Sequence, residues 1–171
     1  WELPGGCEDP RVVKIGDTFY LTYTAYDGQT ARLALATSKD LRTWEKHGLV
    51  FPDRGWTKSG AILTTPVDGK YWMYFGDSNI WVAHSTDLIH WMAVEPPVIG
   101  PRPDHFDHTL CEPGPQPILT PDGILLLYNG ADARMQYTAG QALFDLHDPT
   151  HLLARAETPF LTPTTELEYT G

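Results

Sequence analysis

Two short stretches far apart in the chain, Cys7-Glu8-Asp9-Pro10 and Cys111-Glu112-Pro113, repeat one local pattern and put a carboxylate at the start of an apolar run. Carboxylates brought together in this way suit inverting cleavage of a glycosidic bond. One protonates the leaving oxygen and the other activates water, from roughly 6.5–9.5 Å apart. Taken alone, Asp9 reads first as a turn aspartate capping a strand start, because Asp-Pro is common in turns. Arg11 has two readings of equal weight, a hold on a substrate hydroxyl or carboxylate and a structural pairing with Glu8. Asp77 follows the aromatic run Tyr71–Phe75 and either binds sugar hydroxyls or caps a turn. Asp104-His105-Phe106-Asp107-His108, with Cys111 nearby, offers metal-ligating side chains, but its spacing matches no familiar zinc pattern. Trp56 and Trp81 are candidates for stacking on sugar faces, whereas Trp44, Trp72 and Trp91 read as packing residues.

Positioning such side chains falls to a repeat. Three segments share one plan, in which an extended run, an Asp/Gly turn and an aromatic or apolar run follow in order: Glu8–Tyr23, Gly60–Phe75 and Gly114–Tyr128. Their turn glycines, Gly16, Gly69 and Gly123, lie 53 and 54 residues apart. The first two units continue alike, through Ser38-Lys39-Asp40-Leu41-Arg42-Thr43-Trp44 and Ser85-Thr86-Asp87-Leu88-Ile89-His90-Trp91. Each Ser-x-Asp-Leu-x-x-Trp predicts a turn before an outer strand. Four strands per unit of about 50 residues is the arithmetic of a β-propeller blade. A β-sandwich is the competing all-β fold, and it lacks such a superperiod. The expected blades run approximately over 1–56, 57–106 and 107–171. No convincing amphipathic helix is found, and Leu143–Arg155 is the one ambiguous stretch. Three blades do not close a ring, so blades are expected to be missing at both ends or several chains to assemble. Exposed apolar terminal faces and self-association are then expected.

Composition narrows the partners. A formal charge of −10, from 22 Asp+Glu against 12 Lys+Arg, excludes the clustered basic surface that nucleic acid requires. Neutral partners such as sugars remain. No apolar run reaches the roughly 18 residues of a membrane span. Two cysteines are too few for a disulfide framework and read as free thiols in the inner core. A start at Trp1-Glu2-Leu3-Pro4 is neither a leader peptide nor an ordinary initiation, so a cytoplasmic location is expected with a secretory leader left open.

At Gly6-Cys7-Glu8-Asp9-Pro10-Arg11 the chain resembles glycoside hydrolase family 130, the β-mannoside phosphorylases and β-mannosidases. Lys58–Ala61, Val67–Tyr71, Ile80–Trp91, Phe106-Asp107-His108, Glu112–Ile118 and Gly123–Gly130 agree with it in order, over nearly the whole chain. The resemblance implies an all-β, five-bladed propeller with about three blades here, a sugar bound in an axial pocket, and no metal or organic cofactor. It makes Asp9 the proton donor and sets Glu112 as the candidate base. Lys58 and Asp107 match family positions, and with Arg11, Asp77 and Asn129 they make up the substrate-binding candidates. The implied substrate is an oligosaccharide or other β-mannoside. Phosphorylase members carry His-Arg where this chain has Phe75-Gly76, and Tyr-His-Gly where it has Tyr128-Asn129-Gly130. With those cations missing, hydrolysis ranks above phosphorolysis on residue chemistry, since phosphate needs Arg, Lys or His around it. A sugar-binding propeller without catalysis, an inactive fragment and a protein-interaction propeller are the competing classes.

Overall fold

The computed structural model describes residues 1–170 and consists of antiparallel sheets throughout, with a single short helix at Glu166–Thr170. The first sheet is built in chain order from β1 (Gly6–Ile15), β2 (Thr18–Tyr26), β3 (Ala31–Ser38) and β4 (Glu45–Leu49). The second follows the same order with β5 (Ala61–Val67), β6 (Lys70–Phe75), β7 (Ile80–Ser85) and β8 (Met92–Ile99). In the third, the first strand is broken into β9 (Leu110–Pro113) and β10 (Ile118–Thr120). Both pieces pair with β11 (Gly123–Ala131), and β12 (Tyr137–Phe144) and β13 (Leu152–Arg155) complete the sheet. Leu161 returns to bridge Ala139 at the upper end of β12.

Two-residue loops join the first pair of strands in every sheet. Ile15 pairs with Thr18, Val67 with Lys70, and Thr120 with Gly123. The hairpins are equivalent, but the glycine moves through them. Gly16 and Gly69 occupy loop positions at φ 58° and 71°, whereas Gly123 opens the strand behind Pro121-Asp122. The left-handed dihedrals that tight hairpins require explain why Gly sits in the first two loops.

The Ser-x-Asp-Leu-x-x-Trp stretches form one turn twice. Ser38 Oγ accepts from the Asp40 and Leu41 amides, and Asp40 Oδ1 accepts from Arg42 and Thr43. Ser85 and Asp87 repeat all four bonds. These local bonds offset the left-handed backbone of Leu41 and Leu88, at φ 61° and 66°.

Strand alternation then divides the core. In β6, Met73 and Phe75 face the first sheet, where Phe75 stacks on Phe51 at 4.3 Å between ring centroids. Tyr74 faces the third sheet and meets Phe144 at 4.8 Å. The middle sheet is therefore buried on both faces, which is why β6 reads as a continuous apolar run. Trp91 packs between the first two sheets, and Trp72 against the core shared by the second and third. Trp44 lies with Leu21 and Tyr23 on the outer face of the first sheet.

Candidate active site

The first strands of the first two sheets lie against each other, β9 of the third lies against β6 and β7, and the carboxylates come together by different routes. Asp9 sits in a bulge of β1, where the register to β2 slips between Glu8 and Arg11. Its φ of 49° is a left-handed conformation that non-glycine residues rarely hold. A bulge re-aims the side chains around it, and this one leaves Asp9 exposed at the strand start while Arg11 turns inward.

Arg11 crosses the centre. Its Nη1 donates to the Pro113 carbonyl at 2.7 Å and also to the Gly114 carbonyl, where β9 ends. The guanidinium thus goes to the third sheet, not to Glu8 as the structural alternative had it. Burial pushes its pKa down, while Glu112 and Asp9 pull it back up.

Main-chain bonds bring in the remaining members. The Gly76 amide donates to the Lys58 carbonyl at 2.8 Å, tying the loop before β5 to the end of β6. Lys58 Nζ then lies 3.9 Å from Asp77 Oδ1. The Cys111 amide donates to the Ser78 carbonyl at 3.1 Å, which sets the Asp77 turn beside β9. Glu112 projects from the face of β9 opposite Cys111 and accepts from Asn129 Nδ2 at 3.4 Å. Burial raises the Glu112 pKa, helped by Asp77 and opposed by Lys58, Asn129 and Arg11.

Tyr137, at the start of β12, was not singled out in the sequence. Burial pushes its phenol up, and Glu112, Asp77 and Asp9 act on it in the same direction. Three carboxylates from three sheets therefore act electrostatically on one phenol. Asp9, Arg11, Lys58, Asp77, Glu112 and Asn129 form one group, in which three acids outnumber two bases.

Asp107 stands apart from this group. Its side chain is completely buried and binds Arg102 through both oxygens, at 3.1 and 3.0 Å. Oδ2 also takes Arg155 at 2.6 Å and the Tyr128 hydroxyl at 2.7 Å. Burial works to raise the Asp107 pKa, but Arg102, Tyr128 and Arg155 together hold it below the usual range. A completely buried carboxylate held by two arginines and a tyrosine is closed to a sugar hydroxyl, and its position argues for a structural role.

Other expectations also change. Cys111 is buried, with its thiol pushed up to about 11 by burial, but Cys7 is exposed rather than in the inner core. The Arg54 guanidinium lies 5.0 Å over the Trp81 ring and occupies the face a sugar would need. His105 turns to Glu157 at 2.9 Å. Among the described residues, no group of three or more His, Cys, Asp or Glu side chains is arranged to hold a metal ion. No helix there is long and apolar enough to cross a membrane.

Successive antiparallel sheets packed face to face, with carboxylates from all three brought together at one end, are consistent with a propeller-type glycosidase fold. The profile of glycoside hydrolase family 130, described as beta-1,4-mannooligosaccharide phosphorylase, matches residues 1–171, and the chain belongs to this family. It is 36 % identical over 162 residues to a 1,2-beta-oligomannan phosphorylase of Thermoanaerobacter sp., covering 92 % of this chain and 54 % of that protein. A beta-1,2-mannobiose phosphorylase of Listeria innocua is 35 % identical over 173 residues, covering 97 % and 48 %. Among solved structures, one superposes with a TM-score of 0.94 at 39 % identity, covering 99 % of this chain and 56 % of its own. That structure is described as showing that the GH130 family of mannoside phosphorylases contains glycoside hydrolases that target beta-1,2 mannosidic linkages in Candida mannan. The chain spans about half the length of the curated relatives it matches.

Proposed function

We propose that the whole protein cleaves β-mannosidic bonds with inversion, and that this chain supplies about three of five propeller blades and most of the reacting centre. One observation carries the reading: Arg11 of β1 bonds the main chain of β9 next to Glu112, and the Asp77 turn, with Lys58 3.9 Å from Asp77, is tied to β9 through Ser78, so carboxylates from three separate sheets are brought to one place. Asp9 protonates the leaving oxygen as the bond from C1 breaks. Arg11, Lys58 and Asn129 hold the acceptor and the substrate hydroxyls. The lengths of the relatives support further blades. Apolar grooves on the outer faces support them too, one lined by Leu21, Tyr23 and Trp44, the other by Leu125, Leu143 and Ala154.

The family description and the mannoside-acting relatives named above favour phosphate as the acceptor. This reverses the ranking reached from residue chemistry alone. Phosphate oxygen then attacks C1 directly, with no base needed, and the product is α-mannose 1-phosphate. Hydrolysis is a second reading that rests on a specific feature. Gly76, which stands where phosphorylases carry a cation, holds φ 142°, and a Cβ there would collide with the Asn79 carbonyl oxygen. With Lys58 engaged by Asp77 and Arg11 by carbonyls, Glu112 is left to take a proton from water as it attacks. The two readings separate in one assay on the full-length protein, β-mannobiose cleavage with and without phosphate. Phosphate-dependent formation of mannose 1-phosphate together with one mannose supports phosphorolysis, release of mannose without phosphate supports hydrolysis, and no cleavage of any β-mannoside refutes both.

A further inference from the structure

The buried ionic cluster around Asp107 takes no part in the chemistry described above, yet it lies directly behind it. Pairing of β9 with β11 sets Glu112 across from Asn129 and Cys111 across from Gly130. Strand alternation then puts Glu112 and Asn129 on one face of the sheet, and Cys111 and Tyr128 on the other. Arg155 of β13 reaches both of the latter. Its Nη2 donates to Cys111 Sγ at 3.1 Å and to Asp107 Oδ2 at 2.6 Å, and its Nε donates to the Tyr128 hydroxyl at 3.1 Å. Nη1 donates to the Gly100 carbonyl at 2.8 Å, just past the end of β8. Glycines make room for the cluster. A Cβ at Gly130 would collide with Asp107 Cβ, and one at Gly140 with the rings of Phe106 and Tyr128.

The opposite face has little of its own to fix it. The bond from Asn129 Nδ2 to Glu112 is 3.4 Å long, too weak to aim either side chain. Their aim must come from the two strands, and β9 is only four residues long. Away from β11 its main chain is tied to the Ser78 carbonyl through the Cys111 amide. We infer that Arg155 is a positioning residue: by holding Cys111 and Tyr128 from behind, it sets the placement of their neighbours Glu112 and Asn129 in the reacting centre. The inference rests on the reading of the protein as a β-mannoside-cleaving enzyme. A guanidinium suits the task, since its rigid plane points separate nitrogens at β9, at β11 and at the chain leaving β8. Asp107 completes the arrangement by neutralising that charge and accepting from the Tyr128 hydroxyl.

The test uses the full-length protein and β-mannobiose. Arg155→Lys keeps the charge but cannot reach Cys111, Tyr128 and Gly100 together. It should lower kcat/KM by on the order of 10²-fold, the scale for a misplacement of about 1 Å. Tyr128→Phe removes a single link and should cost less. Folding is controlled by combining Asp107→Asn with Arg155→Met, which should be more stable than Asp107→Asn alone but no more active. Activity that returns with stability, or unchanged kinetics in Arg155→Lys, overturns the inference. An arm without turnover separates this from failure of the functional reading. With nitrogen-labelled asparagine and NMR, the Asn129 side-chain amide is assigned by its loss in Asn129→Asp. Its shift should follow the ionisation of Glu112 with pH, and stop doing so in Glu112→Gln. Asp77, Lys58, Arg11 and Tyr137 also act on Glu112, and Arg155→Lys leaves all four in place. In Arg155→Lys the response of Asn129 should be lost or strongly reduced. A full response there overturns the positioning role whether or not the native protein cleaves a mannoside. A lost response in a native protein that cleaves none would refute the function and support the placement.

Discussion

Replacing Asp107 with Asn in the full-length protein should destabilise it by about 3–5 kcal/mol, the scale for breaking a buried ion pair by removing one partner. The structure puts the loss at this scale because the carboxylate is fully buried and serves two arginines at once. Arg155, with a side chain 9 % exposed, has little access to water once its counter-charge is gone. Arg102 is more open and keeps Glu157 at 3.5 Å, so it loses less. Equilibrium urea denaturation gives the difference. Adding Arg155→Met should recover part of it, since an apolar replacement of a buried pair is often tolerated. pH supplies an independent check. The Asp107 pKa is depressed in the folded state, so its contribution is complete above the ordinary aspartate value of about 3.9 and disappears as pH falls through the lower folded value. The gap between native protein and variant should therefore be flat near neutrality and close only in acid. A loss below about 1 kcal/mol, or a gap that closes between pH 5 and 7, would refute the reasoning.

Asp9→Asn should slow cleavage of poor leaving groups by on the order of 10²–10⁴-fold with the fold unchanged by circular dichroism. Full activity in that variant would remove Asp9 from the reaction. If Glu112 acts as a base it must be ionised, so its raised pKa puts the acidic limb of the pH–rate profile above that of an ordinary glutamate. Lys58→Met should move that limb to still higher pH, and a downward move contradicts the placement of Lys58. Gly76→Ala should cost roughly 1–3 kcal/mol in urea, because φ 142° and the Asn79 carbonyl leave no room for a Cβ. A neutral effect there would mean that the turn relaxes freely and that Gly76 says nothing about the acceptor.

The sheets were legible because their signals are local. A two-residue loop with Asp or Gly fixes a hairpin wherever it occurs, and the Ser-x-Asp-Leu-x-x-Trp turn closes on its own backbone. What the sequence hid was long-range or depended on burial. Asp107 sits in a stretch rich in Asp and His, and nothing in that pattern reveals two arginines arriving from Arg102 and from Arg155 in a distant outer strand. Tyr137 belongs to no motif and gains its meaning only where three sheets meet. The acceptors of Arg11 were not legible because they are carbonyls, which every residue carries. Cys7 and Cys111 share a local sequence, yet the first is exposed and the second buried. The first belongs to an outer sheet and the second to a strand covered by its neighbours.

The carbonyl acceptors of Arg11 have a genetic consequence. Because Pro113 and Gly114 receive its hydrogen bonds through the main chain, exchanging either side chain leaves both acceptors in place. The Gly114 position is still restrained, since a Cβ there would press on the Leu127 carbonyl. Drift at position 113 can therefore proceed without severing the link between the first and third sheets. Codon changes at position 11 have no such latitude: both bonds come from one guanidinium nitrogen, Nη1, so a side chain that cannot carry a donor there loses both. The cost of breaking this one contact falls on a single partner: a deep sampling of variants should find position 11 intolerant, whereas changes at the buried position 113 act through packing and leave the link in place.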